Sequence, residues 1–147
     1  MNEVSDGSRL QELFADFLGS ADSLRVYHGD SLVFCSEKDG LLPLLEYART
    51  VSRDYTGVVV FDKVVGRAAA LLCIKVGSRA VYSPLGSELA ARVLDEYGVK
   101  YRLERLVPFI TAADGSDMCP MERLSLDKEP EEFYQVLVRA FPGQGAN

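Results

Sequence analysis

The sequence from Gly57 to Gly77, GVVVFDKVVGRAAALLCIKVG, decides the fold that this chain is expected to adopt. Its β-branched run, Val58–Phe61, is apolar on both faces, which predicts a central strand. The polar pair Asp62-Lys63 follows, and residues from about Val65 to Val76 then contain so few polar groups that they predict a buried helix. Unpaired N–H groups and the helix dipole converge at such a turn, so this stretch also predicts the position of a ligand site.

The periodicity of the flanking sequence places this strand and helix in a larger α/β domain. Ser8 and Gln11 form a capping-box pattern at the start of a first helix, and Gly29-Asp30 suits a tight hairpin turn. The first helix is predicted to end at Gly19, and the strands that follow are Leu24–Tyr27 and Leu32–Cys35. Further along the chain we predict a helix over about Leu41–Val51, a strand Ala80–Tyr82, a helix from Ser83-Pro84 to Tyr97 with Leu85 and Leu89 inward, and a strand over about Lys100–Val107. The last predicted helix is Pro130–Phe141, and the residues it is expected to bury are Phe133, Val136, Leu137, Ala140 and Phe141.

This order of elements predicts an α/β fold. A hairpin followed by β-α units indicates a mixed five-stranded sheet with helices on both faces, which is a three-layer α/β/α sandwich. We expect one domain over residues 1–147, with an ordered core from about 8 to 141 and frayed residues 1–7.

Composition limits the classes of partner. The net charge is −6 and no long basic stripe occurs, so a nucleic-acid polymer is not expected to bind. The three cysteines, Cys35, Cys73 and Cys119, are widely separated and odd in number, which favours a reducing compartment. No signal peptide and no membrane-span-length apolar run are recognised. We therefore expect a cytoplasmic protein without a membrane partner, and self-association as a homo-oligomer stays open.

Four motifs carry a resemblance to a known family. Listed in chain order, they are Asp62-Lys63-Val64-Val65-Gly66-Arg67-Ala68-Ala69-Ala70-Leu71-Leu72, Val81-Tyr82-Ser83, Val107-Pro108 and Cys119-Pro120-Met121-Glu122. Over about residues 8–140 the chain resembles the prokaryotic family called domain of unknown function 1893, and its element order resembles the cytidine deaminase-like fold. The resemblance implies a deaminase-like fold without an established activity.

The sequence lacks the residues of a zinc deaminase. Such an enzyme needs a His or Cys two residues before a catalytic Glu, and a Pro-Cys-x-x-Cys motif at the next helix. Cys35-Ser36-Glu37 matches the first half in residue type, but Asp62–Gly66 stands where the second half belongs and contains no cysteine. We therefore predict no metal site and no cofactor. Cys35 is expected to be a core residue at a strand end, and Cys73 a small apolar filler of a buried helix.

Two interpretations of Asp62, Lys63 and Gly66 stay open. In the structural one, Asp62 caps the third helix, Lys63 is solvated, and Gly66 permits helix–sheet packing. In the functional one, Asp62 and Lys63 face a pocket, where Lys63 and the amides near Gly66 meet an anion.

The motif Cys119-Pro120-Met121-Glu122 is the second candidate. Pro120 is suited to the first position of a helix, which would place Cys119 at a helix N-terminus, where a thiol becomes more nucleophilic. His28 is the only histidine, and it is distant in sequence. A nucleophilic Cys119 would thus lack a nearby histidine as its base. Cys119 is expected either to contact a pocket that it shares with Asp62 or to act as a nucleophile, while Glu122 suits a capping box.

The leading hypothesis is a deaminase-like protein without zinc chemistry that binds a small anionic or nucleotide-type ligand at the N-terminus of the third helix. The predicted ligand-binding residues are Asp62, Lys63, Gly66, Glu37 and Cys119. The first alternative is an enzyme of unassigned type that uses Asp62, Lys63, Cys119 or Glu122, in which Asp62, Cys119 and Glu122 are the catalytic candidates. The second alternative is a non-catalytic interaction subunit.

Overall fold

The computed structural model describes residues 3–143, with side chains from Gly7 onward. Five strands form one mixed sheet in the order β2-β1-β3-β4-β5. The elements are α1 (Glu3–Leu18), β1 (Leu24–His28), β2 (Ser31–Ser36), α2 (Leu42–Thr50), a 3-10 turn (Ser52–Asp54), β3 (Val58–Asp62), α3 (Arg67–Lys75), β4 (Ser78–Ser87), α4 (Glu88–Glu96), β5 (Lys100–Val107), α5 (Pro120–Ser125) and α6 (Pro130–Ala140). β1 is antiparallel to β2 and β3, whereas β4 is parallel to β3 and β5.

β3 is the central strand that the quoted stretch predicts. Its residues Val58–Phe61 are completely buried, because both faces of the sheet are covered at this strand. Val59 and Phe61 pack on one face against α1, while Val58 and Val60 pack on the other face in the larger core.

The three layers are unequal. Of the described helices, α1 alone covers one face, where Leu10, Phe14 and Phe17 pack against β1, β3 and β4. The other described helices cover the opposite face, where α3 packs against both α4 and α6. The α/β class and the mixed five-stranded sheet are confirmed, and helices lie on both faces of the sheet as predicted.

The predicted helix start at Ser83-Pro84 is wrong. β4 continues through these residues to Ser87, because β5 is long enough to pair with it as far as Ser87 opposite Val107. The hydroxyl of Ser83 binds the backbone of Leu85, so this serine acts within the strand rather than as a helix cap. Ser87 caps α4 instead by accepting a hydrogen bond from the N–H of Ala90. Leu85 is therefore a strand residue.

Other local predictions also change. α1 begins at Glu3, upstream of the expected capping box, although Met1 and Asn2 lie outside the described residues. Cys35 is exposed on the edge strand β2, so its predicted place in the core is wrong, whereas Cys73 is buried within α3 as expected. In α6, Phe133 and Leu137 are buried, Val136 is half-buried and Ala140 is exposed, as is Phe141 just after the helix, so the predicted burial of the last two residues is wrong. None of the described helices has the length and apolar character that a membrane span requires.

Candidate functional site

One edge of the sheet gathers the polar residues that the sequence singles out. β3, β4 and β5 are parallel, so their carboxyl ends meet at this edge. β1 is antiparallel to β3, and Leu24 at its start pairs with Asp62 at the end of β3. The loop after β5 returns to the same edge, where Cys119 precedes α5.

A cavity of about 290 Å³ opens at this edge, and we call it the Asp62 cavity. Its walls are mostly apolar, and its polar groups come from four separate segments of the chain. Its lining residues include Asp39, Asp62, Lys63, Gly66, Cys119 and Glu122. The structure thus brings together Asp62, Lys63, Gly66, Cys119 and Glu122, which the sequence placed in two distant motifs.

Glu122 caps α3 across the fold. It is only 2% exposed, and its two carboxylate oxygens accept hydrogen bonds from the backbone N–H groups of Arg67 at 2.5 Å and Ile110 at 2.9 Å. Arg67 is the first residue of α3, so a carboxylate of this chain already lies where the positive end of the helix dipole attracts an anion. The predicted capping box within α5 is wrong, because the Cys119 N–H donates to the carbonyl of Ile110 instead.

Gly66 is required by the close approach of Glu122. A Cβ at Gly66 would lie 2.6 Å from Glu122 Oε1 and 2.9 Å from Ile110 Cγ1. The φ angle of Gly66 is −92°, so backbone strain is not the reason for a glycine at this position. The atoms that exclude a side chain at Gly66 belong to Glu122 of α5 and to Ile110 in a loop, so helix–sheet packing is not the reason for this glycine.

Gly66→Ala is expected to lower the free energy of unfolding by about 1–3 kcal/mol, because the methyl group must displace Glu122 or Ile110. Urea denaturation followed by circular dichroism measures this loss. Gly19→Ala is the matched control, since the nearest atom to a Cβ there is 3.8 Å away. Equal losses of stability in the two variants would contradict the steric explanation.

Lys63 lines the cavity, but its ammonium group is bound elsewhere. Nζ donates a hydrogen bond of 3.1 Å to the carbonyl of Ser20 and lies 4.8 Å from the centre of the Phe17 ring. Ser20 follows the C-terminus of α1, where carbonyl groups attract a cation. The ammonium group therefore fixes the end of α1 to the turn after β3.

Asp62 is a half-buried acid without a cationic partner. The Lys63 N–H donates to the carbonyl of Ser23, and the carboxyl group of Asp62 does not cap α3, whose first N–H is bound by Glu122. Burial raises the pKa of Asp62 from 3.8 to about 7, and the nearby backbone N–H groups of Val64 and Lys63 oppose the increase only in part. Asp62 takes part in no ion pair with any residue between 7 and 143 whose contacts are described. This carboxyl group can therefore donate or accept a proton near neutral pH.

Cys119 lines the cavity without a histidine beside it. His28 is at the far end of β1, since Leu24 pairs with Asp62 while Tyr27 pairs with Val59. The His28 ring is exposed and lies 5.2 Å from the ring of Tyr55. No imidazole is therefore available at the cavity to act as a base for the Cys119 thiol.

Glu37 is the one predicted ligand residue that does not line the cavity. It is exposed, just beyond the end of β2, and Asp39 occupies the rim instead. Ser23, Asp39 and Ile110 are lining residues that the sequence interpretation missed. The sequence offered one signal for these residues, the predicted hairpin, because a hairpin returns the end of β2 to the start of β1. The pairing of β1 with β3, which the structure shows, then places both at this edge of the sheet.

The described part of the chain contains no cluster of metal-ligating side chains. No three His, Cys, Asp or Glu side chains there are arranged so that they could hold an ion. The segment Asp114–Asp117 is a turn, in which the Ser116 N–H donates to Asp114 Oδ1 and Gly115 has a φ of 74°.

Comparisons with known proteins give a family and a solved structure that is similar to this chain. A family model described as "Domain of unknown function (DUF1893)" matches residues 14–141. The crystal structure of a DUF1893 family protein from Thermotoga maritima has a TM-score of 0.82 and 31% sequence identity, with 91% of this chain and 90% of that chain covered. No curated protein matches this sequence. On the extent of the family match and this structural similarity, the chain belongs to the DUF1893 family, a family of unknown function.

Proposed function

We propose that this chain binds a small polar molecule in the Asp62 cavity, and that the molecule donates hydrogen bonds to Asp62 and Glu122. The observation that carries this proposal is the carboxyl group of Asp62, which lies in a mostly apolar cavity without a cation to neutralise it. Such a group is costly for the fold, and a ligand that donates hydrogen bonds would offset part of that cost.

The charges around the cavity favour a neutral or positively charged ligand over the anion expected from the sequence. Asp39, Asp62 and Glu122 all line the cavity. The Lys63 ammonium binds Ser20, and the Arg67 guanidinium donates to the carbonyls of Ser125 and Lys128. An anion would therefore meet carboxyl groups, with both nearby cations already engaged.

The volume of the cavity and the backbone N–H groups at the start of α3 restrict the class of ligand further. A volume of about 290 Å³ is at the lower end of small-molecule sites, so a compact molecule is favoured. Ala68 and Ala69 line the cavity in the first turn of α3, where N–H groups have no partner within the helix. A nitrogen heterocycle with both donors and acceptors, such as the base of a nucleotide-type ligand, suits these groups.

Thermal-shift measurements with charged and neutral probes test the proposal. The probes are adenine, cytosine, benzamidine, the corresponding nucleoside monophosphates and inorganic phosphate. We expect a neutral or cationic probe to raise the melting temperature of the wild type, because it donates hydrogen bonds to Asp62 and Glu122. A shift that depends on the phosphate group would contradict the proposed charge preference.

Val64→Trp is the variant that separates cavity binding from surface binding. Val64 lines the cavity and is 42% exposed, so a larger side chain is expected to fill the opening without entering the core. Leu32→Trp is the matched control, because Leu32 is 48% exposed on β2 and does not line the cavity. The same probe response in wild type and Val64→Trp would overturn the proposal.

Acid–base catalysis by Asp62 is a second candidate function. A pKa of about 7 lies near the optimum for a group that transfers protons at neutral pH. A turnover that follows an ionisation near pH 7, and is lost in Asp62→Asn, would favour catalysis over simple binding.

The finer fold assignment is also a proposal. The hairpin of β1 and β2 followed by three parallel strands supports a cytidine deaminase-like fold. On this proposal, Asp62-Lys63-Val64-Val65-Gly66 replaces the paired cysteines of a zinc deaminase, and zinc-dependent deamination is not the activity of this chain. We also propose a cytoplasmic location, which the odd number and wide separation of Cys35, Cys73 and Cys119 support.

A further inference from the structure

β5 forms an open edge of the sheet. It is the last strand in the order, and it pairs with β4 on one side only. Its outer side therefore presents N–H and C=O groups along eight residues, Lys100–Val107. Among the described residues no helix or loop contributes a further strand beside it.

The face of β5 toward the α1 side is also uncovered. Tyr82 on β4 packs beside the cluster under α1, and Arg102 is its partner in the parallel register, so Arg102, Glu104 and Leu106 lie on that face. No residue of β5 belongs to the α1 cluster. Arg102 Nη2 lies 3.7 Å from Glu104 Oε2 of the same strand, in an exposed ion pair whose side chains are 49% and 38% exposed, and Leu106 is 50% exposed. This edge therefore combines unpaired backbone, charges of both signs and an exposed leucine.

The charge pattern selects one way to pair two copies of β5. In a two-fold antiparallel pair, residues directly opposite one another lie on the same face of the sheet. Because side chains alternate between the faces, two opposed residues are separated by an even number of positions, and the two-fold axis passes through the residue midway between them. When the axis is at Leu103, Arg102 lies opposite Glu104 of the second copy, and this attraction occurs twice. Tyr101 then lies opposite Arg105 of the second copy, where an aromatic ring and a guanidinium group stack favourably.

The neighbouring registers are unfavourable. An axis at Tyr101 places Lys100 opposite Arg102, and axes at Arg102, Glu104 or Arg105 place each of these residues opposite itself. Like charges directly opposite one another destabilise an antiparallel pair. Of the five registers centred between residues 101 and 105, only the one at Leu103 has opposite charges facing each other and no like charges opposed.

We propose that a second copy of this chain binds along β5 in the register centred on Leu103, so that two five-stranded sheets join into one continuous sheet. The backbone supplies the hydrogen bonds of this dimer, and the two Arg102–Glu104 pairs fix its register. The proposal is independent of any ligand in the Asp62 cavity, which lies at the carboxyl edge of the strands rather than along β5.

A charge exchange tests this surface. Sedimentation equilibrium of the full chain measures the dimer dissociation constant, and circular dichroism checks that each variant is folded. Arg102→Glu and Glu104→Arg are each expected to weaken the dimer about tenfold or more, because each creates two like-charge contacts. The double exchange, Arg102→Glu with Glu104→Arg, is expected to restore the wild-type constant to within about threefold.

The matched control is the exchange of Arg9 and Glu12, an exposed ion pair on α1 that lies away from β5. It is expected to leave the dimer unchanged. A monomeric wild type, or a dimer that neither single variant weakens, would overturn the proposal. A dimer that the single variants weaken but the double exchange does not restore would also overturn it, because the register would then be wrong.

Discussion

Glu122→Ala is expected to lower the free energy of unfolding by about 3–5 kcal/mol, which would be the largest single loss among the site residues. The carboxylate receives hydrogen bonds from the N–H groups of Arg67 and Ile110. Alanine would leave both donors without a partner at the first residue of α3 and in the loop after β5. Hydrogen bonds to a charged group contribute about 1.5–3 kcal/mol each, and their loss sets the size of the effect.

Urea denaturation by circular dichroism measures this loss, and amide hydrogen exchange at Arg67 and Ile110 reports its location. Glu122→Gln keeps the shape but replaces one acceptor oxygen by a donor, so an intermediate loss is expected. Glu37→Ala is the control, because Glu37 is exposed and does not line the cavity, and its stability is expected to stay within about 0.5 kcal/mol of wild type. A loss at Glu122 as small as that at Glu37 would refute the capping role.

Asp62→Asn is expected to stabilise the protein by about 2–4 kcal/mol at pH 8 and by little at pH 4. Burial raises the pKa of Asp62 to about 7, so the folded chain holds this proton more tightly than the unfolded chain does. As the pH rises from about 4 to 7, the unfolded chain is ionised first, and the stability of the wild type falls. Asparagine has no such ionisation and nearly the same shape, so its burial carries no charge penalty.

Denaturation curves of wild type and Asp62→Asn between pH 4 and pH 8 test this sign. The difference between the two proteins is expected to grow with pH and to level off above about pH 7. Asp114→Asn is the control, because hydrogen bonds from Ser116 lower the pKa of this exposed aspartate and no gain at pH 8 is expected. A gain in stability at Asp62 that is the same at both pH values would show that ionisation is not its cause.

Glu122 and Asp62 have opposite effects on the stability of the free protein. The site residue Glu122 stabilises α3, whereas Asp62 in its ionised form destabilises the fold. A carboxyl group that costs stability is retained most simply for binding or catalysis, since a neutral side chain of the same shape would fold better. The proposed ligand should therefore lose affinity in Asp62→Asn even as the free protein becomes more stable.

The sequence predicted best those elements whose structure follows from the chemistry of their own residues. The β-branched run at Val58–Phe61 predicted the central strand, and the alternation in Lys100–Val107 predicted β5 with its observed bounds. The signal failed at Ser83-Pro84, which has the local chemistry of a helix start. A proline that follows a serine satisfies a helix N-terminus in isolation, but pairing with the long neighbour β5 continues β4 past both residues.

Local sequence was enough to predict the α/β class, the central strand with its buried helix, and the edge of the sheet at which the Asp62 cavity opens. Hydrophobic periodicity and the polar break at Asp62-Lys63 are local properties, so they can be read without contacts between distant residues. The group at the N-terminus of α3 could not be predicted from local sequence, because it comes from a distant part of the chain. That group is Glu122, 55 residues after Arg67, because the parallel strands bring the loop after β5 back to the end of β3. The sequence predicted an anion at this helix, and the fold supplies one from its own chain.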